Sequence, residues 1–310
     1  MKKKDTCSST GNNEIKTKKI NKKSVIAYTV SGSAVIALGV VTGILLGQNI
    51  FKVDAYKGLK ADAIEQDYSE TYREFKKASP SSYASKFSPV ELANISLLKL
   101  SDYDNYYTLT EGQVLAAGVK QTIRSTTIKD GNNYFEESLS ASSFVKSANR
   151  FYQDDESITW YKGKYVELEK GDYSSPKITK YSLEDFDEEW GKTLSQPCIY
   201  IISDKTCLSS GITESKEGYT INLDLHPTYS VLRYIKQMTM TGGLSQSPVF
   251  HSVKLIFELD KEMNLITFKT DEVYDVHMVI DAKNSKASLT QNYYYSERVI
   301  PDITESTNYK

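Results

Sequence analysis

Ser24 to Phe51, SVIAYTVSGSAVIALGVVTGILLGQNIF, is a run without a charged side chain. As a helix, Val25 to Leu46 rises about 33 Å at ~1.5 Å per residue, enough to cross a hydrocarbon core of about 30 Å. The apolar region of a secretory signal is usually about 7–15 residues long. The length therefore predicts a retained transmembrane anchor. A weak small-residue pattern, Val53-Asp54-Ala55, leaves cleavage after Ala55 as the alternative. A buried soluble helix fits poorly, because Lys22, Lys23 and Lys52 bracket the run.

Lysines set the orientation. Lys16, Lys18, Lys19, Lys22 and Lys23 crowd the N-terminal edge, whereas Lys52, Lys57 and Lys60 are diluted by Asp54 and Asp62. The more positive side stays in the cytoplasm, so residues 52–310 are expected outside a cell membrane that the chain crosses once. Gly39-x-x-x-Gly43-x-x-x-Gly47 within the run has the spacing that lets two membrane helices approach closely. Incidental glycines in a lone span read equally well. The tail, residues 1–23, holds eight lysines against Asp5 and Glu14, a net of +6 within a chain of −2, which leaves −8 on the remainder. A folded part that acidic does not suit nucleic acid as a partner and is not drawn to anionic headgroups by long-range charge.

The expected plan is a lysine-rich cytoplasmic tail (1–23), the anchor (24–51), a helical stalk and helices (52–100), an antiparallel sheet domain (101–300) and a C-terminal tail (301–310). Residues 54–77 read as an amphipathic helix, with Tyr56, Leu59, Ala63, Tyr68, Tyr72 and Phe75 at spacings of three to five. In SPVELANISLLKL, Ser88, Pro89 and Glu91 match a helix start. From Val119 the texture is β-branched and alternating, with turns at KDGNN and DKEMN. HPTYSVLRYIKQMTMTGG reads as a mid-chain helix with Pro227 in its first turn. The fold class is therefore α+β: a transmembrane helix, then helices packed on a long curved antiparallel sheet interrupted by one mid-chain helix.

Motifs for chemistry are sparse. There is no CxxC, no HExxH, no phosphate loop and no nucleophile elbow, so no catalysis, metal or cofactor is expected. The acidic stretch SLEDFDEEWG (Glu184, Asp185, Asp187, Glu188, Glu189) lacks the calcium-loop order and reads as a solvated face. Asp224 with His226, and Asp275 with His277, share a strand face and can touch. Cys198 and Cys207 fall in an oxidising compartment on this topology, but their spacing does not decide whether they form a disulfide. Val253, Leu255, Phe257, Leu259, Ile266, Phe268 and Tyr274 alternate along one hairpin and are the candidate ligand-lining residues.

The segments VKQTIRSTTIKDGNNYFEESLSAS, HPTYSVLRYIKQM and VKLIFELDKEMNLITF, taken in order, resemble the LolA/LppX-like lipoprotein-carrier class. That resemblance rests on element order over roughly Val119 to Ser296 and on no diagnostic motif, so it assigns no residue a role. It implies a half-barrel whose apolar cavity accepts acyl chains. The chain departs from the class by using a spanning helix in place of a lipidated cysteine or a free form. The expectation is a membrane-anchored extracytoplasmic domain of the cell envelope that binds a lipid-like or other apolar ligand. The alternative is a structural or protein-interaction module with a filled core and no ligand, its protein partner unspecified.

Overall fold

The computed structural model describes residues 56–301, apart from 144–145, 168–169, 243, 245 and 278–280, together with 307–308. The run 24–51 lies outside the described residues. No helix among those described is long and apolar enough to cross a membrane.

Local hydrogen bonds mark the starts of the first and third α-helices, but only the third is capped by its N-cap side chain. Asp67 Oδ1 accepts the Ser69 N–H at 2.9 Å, and α1 runs only over Ser69–Phe75. The helix expected over 54–77 is thus reduced to this segment and a 3-10 turn at Ala61–Ala63. The short α2 (Tyr83–Lys86) leads into α3 (Pro89–Leu98). Here the start signature holds: Ser88 Oγ accepts the Glu91 N–H at 3.2 Å, and Glu91 Oε2 accepts the Ser88 N–H at 2.7 Å.

From Asn105 onward β structure takes over. The strands are β1 (Asn105–Ala116), β2 (Val119–Asp130), β3 (Asn133–Ala141), β4 (Lys146–Gln153), β5 (Ser157–Glu167), β6 (Lys170–Ser182), β7 (Cys207–Glu214), β8 (Gly218–Leu225), β9 (Val249–Asp260), β10 (Leu265–His277), β11 (Asp281–Tyr294) and the two-residue β12 (Thr307–Asn308). They form one open, curved antiparallel sheet in the order β12-β6-β5-β4-β3-β2-β1-β11-β10-β9-β8-β7. The first meander runs outward from β1 to β6. The chain then crosses to the far edge, and β7 to β11 return until β11 closes on β1, with Tyr107 opposite Tyr294 and Leu115 opposite Lys286.

Two helices interrupt the sheet, not the single one expected. α4 (Leu183–Trp190) follows β6, and α5 (Leu232–Gly242) lies between β8 and β9. Ser182 caps α4 by accepting the Asp185 N–H at 3.0 Å. Gly191 ends it at φ 85, where any side chain would run into the Arg233 carbonyl. α5 starts at Leu232 because residues 227–231 are spent on a turn, in which the Ser230 N–H returns to the His226 carbonyl at 3.1 Å.

One face of the sheet is the inner one. Val114, Ala287, Glu272, Val253 and Leu225 form a cross-strand row there, and all are buried. Val231, Tyr234, Ile235 and Met238 of α5 and Leu92, Ile95 and Leu97 of α3 join the same core. Trp190 and Phe186 of α4 cover Phe151 and Trp160 in a second cluster. At the junction of the meanders, Gly112 leaves the space that Leu289 occupies. The outer face is buried as well at β3 and β4, where Arg150 pairs with Glu137 and its guanidinium carbon lies 3.9 Å from the Tyr173 ring centre.

Candidate functional site

The hairpin residues singled out by alternation are mostly inward-facing and packed solid. Phe257 and Phe268 stand opposite each other with ring centres 4.8 Å apart, and Tyr274 faces Phe250 at 5.1 Å. Val253, Leu255 and Leu259 are buried in the same cluster. Ile266 is the exception, 47% exposed. A register shift between Leu265 and Thr267 makes it the extra residue of the strand and brings Leu265 inward opposite Leu259.

The space lies elsewhere. A cleft of about 380 Å³ opens between α3, the segment leading into α1 and the irregular strap from Ser195 to Ile202. None of the seven hairpin residues lines it. Leu97, Leu98, Leu100, Tyr106, Ile201 and Ile202 give it apolar walls, while Asn94, Gln66, Ser195, Gln196 and Arg233 supply polar edges. Asn94 Nδ2 ties α3 to the strap by donating to the Ile202 carbonyl at 3.2 Å. Arg233 is held in place: it pairs with Glu65, lies 3.1 Å from Asp187 Oδ1, and donates to the Gly191 carbonyl at 3.0 Å.

The strap explains why CIYIIS is apolar without being a strand. Its side chains cover the core while its backbone bonds to a distant turn and to a nearby side chain in place of a strand partner: the Ile201 N–H donates to the Ser230 carbonyl at 2.8 Å, and Thr206 Oγ1 donates to the Ile201 carbonyl at 2.7 Å. Beneath it the Tyr200 hydroxyl donates to Glu272 Oε1. Burial pushes the Glu272 carboxyl up to about 8, although hydrogen bonds from Tyr200 and Tyr234 oppose the rise.

A smaller chamber of about 30 Å³ sits against the other side of the strap, lined by Lys192, Cys198, Thr110, Thr270, Gln291 and Phe268 among others. Cleft and chamber share Pro197, Cys198 and Tyr200 as walls. Lys192 is buried and donates to the Gln196 carbonyl at 3.1 Å, and burial pulls its pKa down. From the chamber a row of polar side chains crosses four strands in register: Thr110, Ser125, Ser138 and Asn149. All four are buried, and Thr110 Oγ1, Ser125 Oγ, Ser138 Oγ and Asn149 Nδ2 have no protein hydrogen-bond partner. Interior polar atoms are nearly always met by protein, ordered water or ligand, and this strip is one polar part of the inner face, beside Thr108, Thr270 and Glu272.

Cys198 and Cys207 are free thiols, so the structure has no bridge between them. Burial pushes the Cys198 thiol up to about 11, which keeps it protonated and unreactive near neutral pH. Of the two histidine–acid pairs expected, the His277 side chain lies outside what the structure describes, and both acids have other partners. Asp275 contacts His251 Nε2 at 3.1 Å, whereas Asp224 accepts from Ser209 Oγ at 2.8 Å. His226 Nδ1 accepts the Thr228 N–H at 3.2 Å. In the acidic stretch, Asp187 pairs with Arg233, and no group of three His, Cys, Asp or Glu among the described residues is placed to hold a metal ion.

No family model and no curated protein matches the chain. Among solved structures, a DUF1329 family protein from Desulfovibrio piger aligns over 70% of this chain and 95% of its own length, at 11% identity and a TM-score of 0.29. A porin-like protein from Bacteroides uniformis aligns over 63% of this chain and 96% of its own, at 8% identity and a TM-score of 0.21. Both overlaps are too slight to argue from.

Proposed function

We propose that the chain is a membrane-anchored extracytoplasmic domain that holds a lipid-like, amphipathic ligand in the cleft beside the strap and performs no covalent chemistry on it. One observation carries this reading. The cleft, about 380 Å³, sets apolar walls from α3 and the strap against a polar edge at Asn94, Ser195 and Gln196, and its size lies in the usual range for small-ligand sites, about 300–1,000 Å³. The apolar part of the ligand lies along Leu98, Leu100 and Ile202, and its polar end turns to the edge. The anchor at 24–51 keeps such a ligand within reach of its source.

The experiment is native mass spectrometry of the protein freed of residues 1–54, with uptake of a fluorescent fatty-acid analogue measured in parallel. One lipid per chain, with dye uptake abolished by Leu98→Arg, is the expected result. A chain that carries no lipid and takes up no dye refutes the proposal. That outcome favours the second reading, an interaction module with a filled core, which rests on the close packing of six of the seven hairpin residues.

A further inference from the structure

The two ends of the sheet are finished differently. At one end the chain's own Thr307–Asn308 pairs with Gly171 and Lys170 of β6. At the other end β7 pairs with β8 on its inner side, and no strand among the described residues pairs with its outer side. β7 reads CLSSGITE: no lysine, no arginine, no proline, and a single charge at its last residue. Open edges in native proteins are usually blunted by such residues or covered, because unpaired N–H and C=O groups template another strand.

The backbone alternation of β7 says which groups are on offer. At the hairpin turn the Ser215 N–H donates to the Gly218 carbonyl at 2.8 Å. Antiparallel pairs alternate between bonded and non-bonded, so Ser209, Gly211 and Thr213 bond to β8. The N–H and C=O of Ser210, Ile212 and Glu214 face outward. Ile212 stands opposite the buried Ile221, and its side chain lies half-buried at the open margin of the core.

We propose that β7 pairs antiparallel with β7 of a second copy of this chain, about a two-fold axis through Ile212, so that the sheet continues across a homodimer. A second copy is the occupant because the edge is self-complementary. In this register Ile212 meets Ile212 of the other copy, a cross-strand β-branched pair. Ser210 meets Glu214, and no like charges face each other. The carboxylate of Glu214 is already neutralised within its own chain by Lys261, 2.8 Å away. Where the Gly39, Gly43 and Gly47 spacing brings two spans together, it acts in the same direction. Once two spans associate, their outer domains share a local concentration that reaches the millimolar range for short flexible linkers, and a short edge pairing then suffices. This inference stands apart from the cleft reading, since the β7 edge and the cleft share no residue.

The test uses the full chain in detergent micelles, with native mass spectrometry for stoichiometry and hydrogen exchange for the edge. The expected result is a dimer in which the Ile212 and Glu214 amides exchange slowly. In Ile212→Lys, like charges oppose each other across the axis, dimer affinity falls at least tenfold, and both amides exchange freely while β8 and β9 keep their protection. A monomeric wild-type chain overturns the proposal. So does a dimer that survives Ile212→Lys with Ile212 exchanging freely, since the span then holds the copies together. The wild-type exchange at Ile212 decides the matter even where the variant fails to fold.

Discussion

A carboxyl buried among tyrosines makes stability depend on pH in a direction opposite to the usual salt-bridged acid. Glu272 has its pKa raised from 4.5 to about 8, with burial as the largest cause. Between those two values the folded chain holds a proton that the unfolded chain has released, so this group's contribution to stability falls as pH rises from about 4.5 to about 8. Below that window the contribution is fully present, and above it the loss is complete, on the order of a few kcal/mol. Glu272→Gln keeps the shape and the hydrogen-bonding capacity without the titration. Denaturant unfolding of the variant is expected to show a flatter pH profile across this window and a gain in relative stability at pH 8. An unchanged profile would remove Glu272 as its source. Nothing in DEVYDVH announces this role, because burial in three dimensions, not the neighbouring residues, sets the shift.

Among the elements, those with local signals were legible in the sequence and those fixed by distant partners were not. The start of α3 is written in Ser88, Pro89 and Glu91, and both arms of the capping box form. Ser88→Ala is expected to cost about 1 kcal/mol and to lower the thermal midpoint measured by circular dichroism, whereas Ser85→Ala, which leaves the cap intact, should change little. β1 escaped notice because its inward positions include Thr108, Thr110 and Gly112, which interrupt the apolar alternation. β4 hides for a different reason, since Asn149, Arg150 and Phe151 are buried on successive, opposite faces. The cleft was invisible for the same cause: its walls come from α3, the strap and Tyr106, brought together only by the crossing of the chain. The bulge at Ile266 likewise defeats a period of two.

For the molecule as a whole, the decisive pairing is β1 with β11, which joins the two meanders along nine registered pairs. That junction makes one continuous inner face of the two halves, on which the buried row Val114, Ala287, Glu272, Val253 and Leu225 runs across both. A chain ending at residue 280 is therefore expected to lose cooperative unfolding in a urea titration followed by tyrosine and tryptophan fluorescence. A truncated chain with an unchanged sharp transition would show that the outer meander folds independently. Alternation makes the antiparallel sheet legible in the sequence, but strand order across the junction depends on pairings that no local pattern encodes.

That junction also bears on how the protein is made. Tyr107 waits for Tyr294, a partner far along the chain beyond strands β2 to β10 and two helices. Contacts of such long sequence separation form slowly. As the chain is synthesised, β1 emerges long before its partner β11, with β2 available to it much earlier. During that interval its other edge stays unpaired, and unpaired N–H and C=O groups on a strand edge template pairing with another strand.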